Sequence, residues 1–424
     1  MNRKNRRLGL WCLTIFVCMA VFVAFSLTAA EAKEKNIKDG VKVAVVYPMS
    51  GALARNGNLT VQSVKAAMGW VNDTGGIRTL GGAKLIPVVA DCGSSVEKVS
   101  SAYERVLKDS DIVALIGSWA SSFTMSGTEI TERHGVPQFT YSFADSLHER
   151  GFKYTSYCIP PSFTQGEQGL KNVIDLGRSA GDTIKTAMIL GDNQAASKGF
   201  YAACRKLLPD MGVNIIGEET WAMGTLTDAT SVMQKCKTTD PDLVIFMATA
   251  IAEAQMCLMK KKELGITTPF VGNGGWLTDP SYAKVGADVL EGIMCIQPCY
   301  ENKNTPKDWM ERALAQCKKE YSDEPWAGQE LGPFGFTLVP ALRLVLEKAA
   351  STDPEKMLKA RDEGSWSNVP ETAMFPKNCL KFGPDKRLAM ECRDVLVVQW
   401  QKGKPVTIFP KEVALADPIW VKKK

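Results

Sequence analysis

Short apolar runs alternate along the chain with longer stretches whose apolar positions recur every three or four residues. Val41–Tyr47 (VKVAVVY), Leu85–Ala90 (LIPVVA), Ile112–Ile116 (IVALI) and Gln138–Tyr141 are short runs bounded by Gly, Pro and Asp, and such runs read as buried strands. Between them, Leu59–Asn72 places Val61, Val64, Ala67, Met68 and Val71 on one helical face and stops at Gly75-Gly76. Val96–Leu107 repeats the pattern, with Ser94 or Ser95 available as its N-cap. A parallel sheet covered on both faces needs strands that are apolar throughout, and helices that return the chain between them. The expectation is a doubly wound α/β unit.

A second set of the same kind begins near Pro160-Pro161. Its strands are Thr186–Leu190, Val213–Ile216, Leu243–Met247 and Pro269–Val271, and its helices cover 166–176, 198–208, 228–236 and 252–264. Two such lobes in tandem leave a cleft between them, and ligands bind at the carboxyl ends of strands of this type. After Gly292–Gln297 the pattern changes. Two amphipathic helices, 307–320 and 331–350, precede a polar stretch and a closing strand pair, Asp394–Trp400 and Val406–Phe409, which turns at Lys402-Gly403-Lys404. A tail that returns to both lobes would tie them through several strands.

The first residues say where the chain is expected to go. Arg3, Lys4, Arg6 and Arg7 precede an uncharged apolar run from Leu8 to Leu27, and Ala30-Glu31-Ala32 fits the small-x-small rule for signal peptidase. Residues 1–32 therefore read as a signal peptide; the alternative is an uncleaved anchor, since about 20 apolar residues span a bilayer. Export to the periplasm follows in either case. Neither Cys12 nor Cys18 sits in a lipoprotein cleavage pattern. No second long apolar run occurs, so the mature chain is expected to be soluble.

Composition narrows the class further. With 45% hydrophobic and 23% charged residues the chain is globular rather than disordered. Its formal charge of +5 rests largely on the four basic residues at the N-terminus, which leaves no concentrated basic face for nucleic acid. An oxidising compartment permits disulfides; Cys379 and Cys392 could close a loop across the KFGPDK turn, and Cys295, Cys299 and Cys317 are near one another in sequence. CxxC pairs with accompanying His are absent, so no metal and no cofactor are expected.

No catalytic constellation is found. His134 and His148 are the only histidines, and both read as surface residues. GxSxG, Walker A and HExxH patterns are missing, and the GNGG stretch at 272–275 lacks the spacing of a dinucleotide fingerprint. The economical reading is a binding protein, not an enzyme. The other readings are a soluble periplasmic sensor that presents its ligand to a membrane receptor and, last, an exported enzyme.

Eight segments then carry a resemblance. VKVAVVYPMSGALARNG, VNDTGGI, ADCGSS, IGSWASS, GVPQFTYSFADS, YCIPPS, ILGDNQAASKGF and PFVGNGGW are weak singly, but their order and intervals over about residues 40–400 resemble the solute-binding proteins of branched-chain amino-acid ABC importers. The resemblance implies an α/β type I periplasmic binding fold: two doubly wound, Rossmann-like lobes joined by a three-crossover hinge that closes on a small solute. Lobe 1 would take residues 33–157 and 297–370, and lobe 2 residues 158–296 and 371–424. The implied partners are a small carboxylate ligand and a membrane permease, with the protein itself a monomer.

The family's site carries over unevenly. Its Ser-rich turn holds the ligand carboxylate at a helix N-terminus, where the dipole favours an anion; here Ser121, Ser122 and Thr124 occupy that turn beside Trp119. The next contact falls on Ser142, Phe143, Ala144 and Asp145, where the hydroxyl has shifted and an acid has appeared. In lobe 2 the acid that neutralises the ligand ammonium is replaced by Asn273-Gly274-Gly275-Trp276, and a frequent tyrosine by Ala196 or Ser197. A buried ammonium needs a charged or multiply hydrogen-bonded partner. Unless Asp145 substitutes for the missing acid, the resemblance implies a ligand without an α-amino group. Tyr47, Trp119, Tyr141, Phe143 and Trp276 stand at expected cleft positions and point to an apolar or aromatic body stacked between rings. Arg55, in the LARNG loop, is a second candidate for an anionic group, or simply a solvated arginine.

Overall fold

Strand β1 (Val41–Tyr47) opens the first sheet and is buried along its length, with only Lys42 partly exposed. A computed structural model describes residues 34–273, 285–324 and 332–421, and all but Glu34 lie in one compact unit, Lys35–Lys424. The expected signal peptide, residues 1–32, lies outside the described residues. From β1 the chain continues through α1 (Ala54–Asp73), β2 (Leu85–Asp91), α2 (Val96–Val106), β3 (Ile112–Gly117), α3 (Ser121–His134), β4 (Gln138–Thr140), a single turn α4 (Asp145–His148) and β5 (Thr155–Tyr157). The strands form a parallel sheet in the order β2-β1-β3-β4-β5.

Both faces of that sheet are covered, which is why β1 is apolar at almost every position. Val41, Val43, Val45 and Tyr47 join one core cluster with α1 residues Val61, Val64 and Met68. Ala44 and Val46 point the other way, into a cluster with Val99 and Tyr103 of α2 and Phe123 of α3. The edge strand β2 leaves Val89 partly in solvent.

The chain then enters the second lobe. It runs α5 (Ser162–Ser179), β6 (Thr186–Asp192), α6 (Ala195–Asp210), β7 (Asn214–Trp221), α7 (Thr230–Thr239), β8 (Leu243–Met247), α8 (Ile251–Glu263), β9 (Phe270–Asn273), α9 (Ala287–Leu290) and β10 (Met294–Gln297). It returns to the first lobe as α10 (Asp308–Glu320), α11 (Gly332–Ala349), α12 (Pro354–Asp362) and the small antiparallel pair β11 (Ser365–Ser367) and β12 (Cys379–Lys381). Strands β13 (Leu396–Gln401) and β14 (Lys404–Phe409) then complete the second sheet, whose order is β14-β13-β10-β9-β8-β6-β7. Its first five strands in sequence are parallel; β13 adds on antiparallel to β10, and β14 antiparallel to β13.

Three crossings therefore join the lobes: residues 158–161, 298–307 and 393–395. The last falls later than the boundary at 371 expected from sequence. Ala373, Met374, Phe375, Leu380, Phe382, Leu388 and Cys392 are buried in the cluster that contains β1 and α1. Their short strands pair with each other and not with the second sheet, and the segment is held to the first lobe by apolar burial and by the Tyr157 N–H of β5, which donates to the Lys386 carbonyl at 3.0 Å. A Cys379–Cys392 disulfide closes this excursion. Helix α11 packs closely on α1: the Gly335 N–H donates to Ser63 Oγ at 3.0 Å, and a Cβ at Gly335 would stand 2.2 Å from the Ser63 carbonyl oxygen. Trp309 of α10 stacks on Phe336 at 4.7 Å and meets Trp70 edge-on at 5.0 Å.

Candidate functional site

The carboxyl ends of β3, β4, β6, β8 and β9 face one cleft of about 680 Å3, a volume that includes its open mouth. The first lobe lines it with Trp119, Ala120 and Ser121 after β3, Tyr141 and Phe143 after β4, Asn56 and Thr60 from α1, and Phe334 from α11. The second lobe contributes Gln194, Ala196 and Ser197 after β6, Met247 at the end of β8 with Ala248 and Thr249 after it, and Asn273 at the end of β9. Strand ends of a parallel sheet converge here because each strand hands over to a helix by a short turn, whose backbone and side chains are left free for a ligand.

The turn after β3 is held by a carbonyl. Ser118 O lies within hydrogen-bond distance of three hydroxyls, Thr124 Oγ1 at 2.9 Å, Thr140 Oγ1 at 2.8 Å and Ser142 Oγ at 2.8 Å. Thr124 and Ser142 are fully buried and also bond to each other. Both sit one layer behind the cleft wall, with their hydroxyls engaged in fixing the turn. Ser121 is different: it lines the cleft, and its Oγ accepts from the Ala144 N–H at 3.2 Å, which leaves its own proton to donate. Ser121 and Ser122 open α3, where backbone N–H groups have no partner within the helix and the dipole is positive. Ser122 is half-buried and outside the lining. The Trp119 Nε1 is buried and finds no acceptor.

Rings form the apolar wall. Tyr141 and Phe334 pack with centroids 4.5 Å apart, and the Tyr141 hydroxyl donates to the Cys299 carbonyl at 3.3 Å. Burial drives the Tyr141 phenol well above its ordinary value, so it stays neutral. Tyr47 is fully buried beneath the cleft and not in its lining, and Arg55, half-buried, is also outside it. Gly274 and Trp276 lie outside the described residues.

Asp145 turns away from the cleft. Its Oδ2 accepts from the Phe163 N–H at 3.1 Å, in the first turn of α5, and a Cβ at Gly199 of α6 would stand 2.2 Å from it. Its pKa is raised by burial, against the pull of that hydrogen bond. Ala144, beside it, is buried. Beside it the Ser162 N–H donates across the lobes to the Phe143 carbonyl at 2.6 Å, and within the second lobe Ser162 Oγ donates to the Ala196 carbonyl.

Sequence reasoning did not single out Asp192, the fully buried last residue of β6. Its Oδ1 accepts from the Gln194 N–H at 3.1 Å and Ser197 Oγ at 2.6 Å, and its Oδ2 from the Thr249 N–H at 2.5 Å. One carboxylate thus fixes both second-lobe turns that line the cleft. The signal was an aspartate at a strand end with a serine five residues on. Asn56, Thr60 and Phe334 were not foreseen either, because their segments show only helical periodicity. His148 reads as a surface residue in the sequence but is buried against Tyr157, ring centroids 4.1 Å apart. Burial, with Arg387 and Arg393 nearby, pushes its pKa down to about 3.

Comparison with known proteins places this geometry. The model of the family described as "Periplasmic binding protein" matches residues 40–405. The chain belongs to that family. It is 25% identical over 408 residues to Leu/Ile/Val-binding protein homolog 7 of Brucella abortus, covering 93% of this chain and 98% of the relative. Among solved structures, a leucine-binding protein of Thermotoga maritima superposes with a TM-score of 0.69 at 19% identity, covering 87% of this chain and 97% of that one. A solute-binding protein of Rhodopseudomonas palustris, solved in complex with benzoate, also gives 0.69, at 17% identity over 89% of this chain and 98% of its own. The type I periplasmic binding fold implied by the sequence motifs is thereby shown, and the likeness to a Leu/Ile/Val-binding protein homolog runs over nearly the whole chain.

Proposed function

We propose that this periplasmic binding protein is the solute-binding component of an ABC importer. It captures a carboxylate with an apolar or aromatic body that lacks an α-amino group, and delivers it to a membrane permease. The observation that carries the reading is the makeup of the cleft wall. The N-terminus of α3, the Ser121 hydroxyl and the unpartnered Trp119 Nε1 offer donors to one anionic group. Trp119, Tyr141, Phe143 and Phe334 offer rings to the rest of the ligand.

Among the described residues, the acids near the cleft are already committed. Asp145 accepts from Phe163, and Asp192 from three donors of its own lobe. Neither is turned to meet an ammonium group, whose uncompensated burial costs several kcal/mol. The neighbour solved with benzoate is consistent with an amine-free acid. Export by residues 1–32, a monomeric state, closure of the lobes on the ligand and a binding rather than catalytic role complete the proposal.

The test is a thermal-shift titration of residues 33–424 against L-amino acids and against aliphatic and aromatic acids without an amine. A ligand at a hundred times its Kd stabilises by about 2.7 kcal/mol, roughly 3 °C for a chain of this size. The amine-free acids are expected to shift the transition. A shift with amino acids alone overturns the reading.

A further inference from the structure

Asn273 ends β9 in the second lobe, is 2% exposed and lines the cleft. Its Nδ2 donates to Gln165 Oε1 at 2.8 Å, while its Oδ1 finds no partner. The amide orientation is set by a relay. The Pro160 carbonyl can only accept, so Gln165 turns Nε2 to it, at 2.6 Å, and presents Oε1 to Asn273. Asn273 must answer with its Nδ2, which leaves Oδ1 as an acceptor at the second-lobe side of the cleft. Gln165 is itself fully buried, and Pro160 belongs to the first interlobe crossing.

A buried amide oxygen without a donor is costly, and a ligand that supplies the donor removes the cost. The same oxygen repels a carboxylate, so an acid bound here is oriented with its anionic end at α3 and its other end at Asn273. We propose that the cleft selects a carboxylic acid that carries a hydroxyl at the end remote from the carboxylate, with Asn273 Oδ1 as the residue that reads it. A hydroxyl donates one hydrogen bond, and Asn273 offers one neutral acceptor; an ammonium would bring three donors and a charge. Such a ligand touches the first lobe through its anion and the second through its hydroxyl, and so favours the closed arrangement. The proposal rests on the carboxylate reading given above and adds the far end of the molecule.

The experiment is calorimetric titration of the mature protein with matched acids: benzoate and 4-hydroxybenzoate, phenylacetate and 4-hydroxyphenylacetate, hexanoate and 6-hydroxyhexanoate. The hydroxyl-bearing member of at least one pair is expected to bind about tenfold or more tightly, because its absence leaves the acceptor unpaired. Asn273→Ala should bring that pair to within about twofold. A cooperative melt shows that the variant is folded, and the comparison within each pair on the wild type does not depend on it. Equal binding within every pair overturns the proposal while leaving the carboxylate reading intact. A preference that survives Asn273→Ala overturns it too. If none of the six acids binds, both readings fail together.

Discussion

Asp192→Asn tests whether one buried carboxylate builds the second-lobe half of the cleft. In the wild type, Oδ1 serves Gln194 and Ser197 while Oδ2 serves the Thr249 N–H, and the group is fully buried. An amide keeps only one acceptor atom. If that atom stays with Gln194 and Ser197, the Nδ2 faces the Thr249 N–H, donor against donor; if it turns to Thr249, the Nδ2 faces the Gln194 N–H instead, while Ser197 Oγ can turn to accept. A hydrogen bond to a charged acceptor is worth about 1.5–3 kcal/mol. The loss of one, with the opposed donors, amounts to about 2–4 kcal/mol, or roughly 3–5 °C in the melting temperature of a chain this long. Differential scanning calorimetry reads the stability. Amide hydrogen exchange at Thr249 reads the cause, because that N–H should lose protection ahead of the strand core. Affinity for the acid found in the titration should fall by about tenfold or more, since Gln194, Ser197 and Thr249 all line the cleft. A variant that melts within about 1 °C of the wild type, with Thr249 protection unchanged, would refute the reasoning.

Substitutions at three further positions address separate parts of the molecule. Trp119→Ala should abolish measurable acid binding, while Trp119→Phe keeps the ring and loses only the Nε1 donor, costing about fivefold to tenfold; equal losses in the two would mean that stacking contributes nothing. Gly335→Ala brings a methyl 2.2 Å from the Ser63 carbonyl oxygen and should destabilise the first lobe by about 2–3 kcal/mol in denaturant unfolding, against no change if α1 and α11 can separate freely. His148 is held neutral, with its pKa lowered to about 3 from 6.5. Its folded value lies below its unfolded one, so stability is present above the unfolded pKa and is lost as pH falls through the window between 6.5 and 3. By about pH 5 the loss from this residue is about 2 kcal/mol, and His148→Gln should flatten the pH dependence by that amount; a parallel profile would count against it.

Several strands were readable in the sequence almost to the residue, while β7 runs five residues past the expected end at Ile216. Val41–Tyr47 and Leu243–Met247 are observed with the bounds expected, because a strand buried on both faces must be apolar from end to end, and polar residues mark where burial stops. The long helices were readable for the same kind of reason. Strand β5, with only Thr155, Ser156 and Tyr157, was not, since three residues show no period. Helix α12 was hidden in a polar stretch, although Asp353 caps it by accepting from the Lys356 N–H at 2.9 Å.

Sequence alone therefore determined the two α/β lobes, the turns at the strand ends and, through the ordered motifs, the family. Burial and periodicity belong to a single segment, and each segment reports its own. Tertiary structure decided what each side chain in those turns does. The Asp145 carboxylate could meet a ligand or a helix, and it meets Phe163, 18 residues on. Asp192 reaches across 57 residues to Thr249, and Asn273 across 108 to Gln165. Thr124 and Ser142 turn to a carbonyl, not to the cleft, while Phe334 arrives from a distant helix to complete its wall. A hydrogen bond is a property of a pair, and the pair exists only once the chain has brought both partners together.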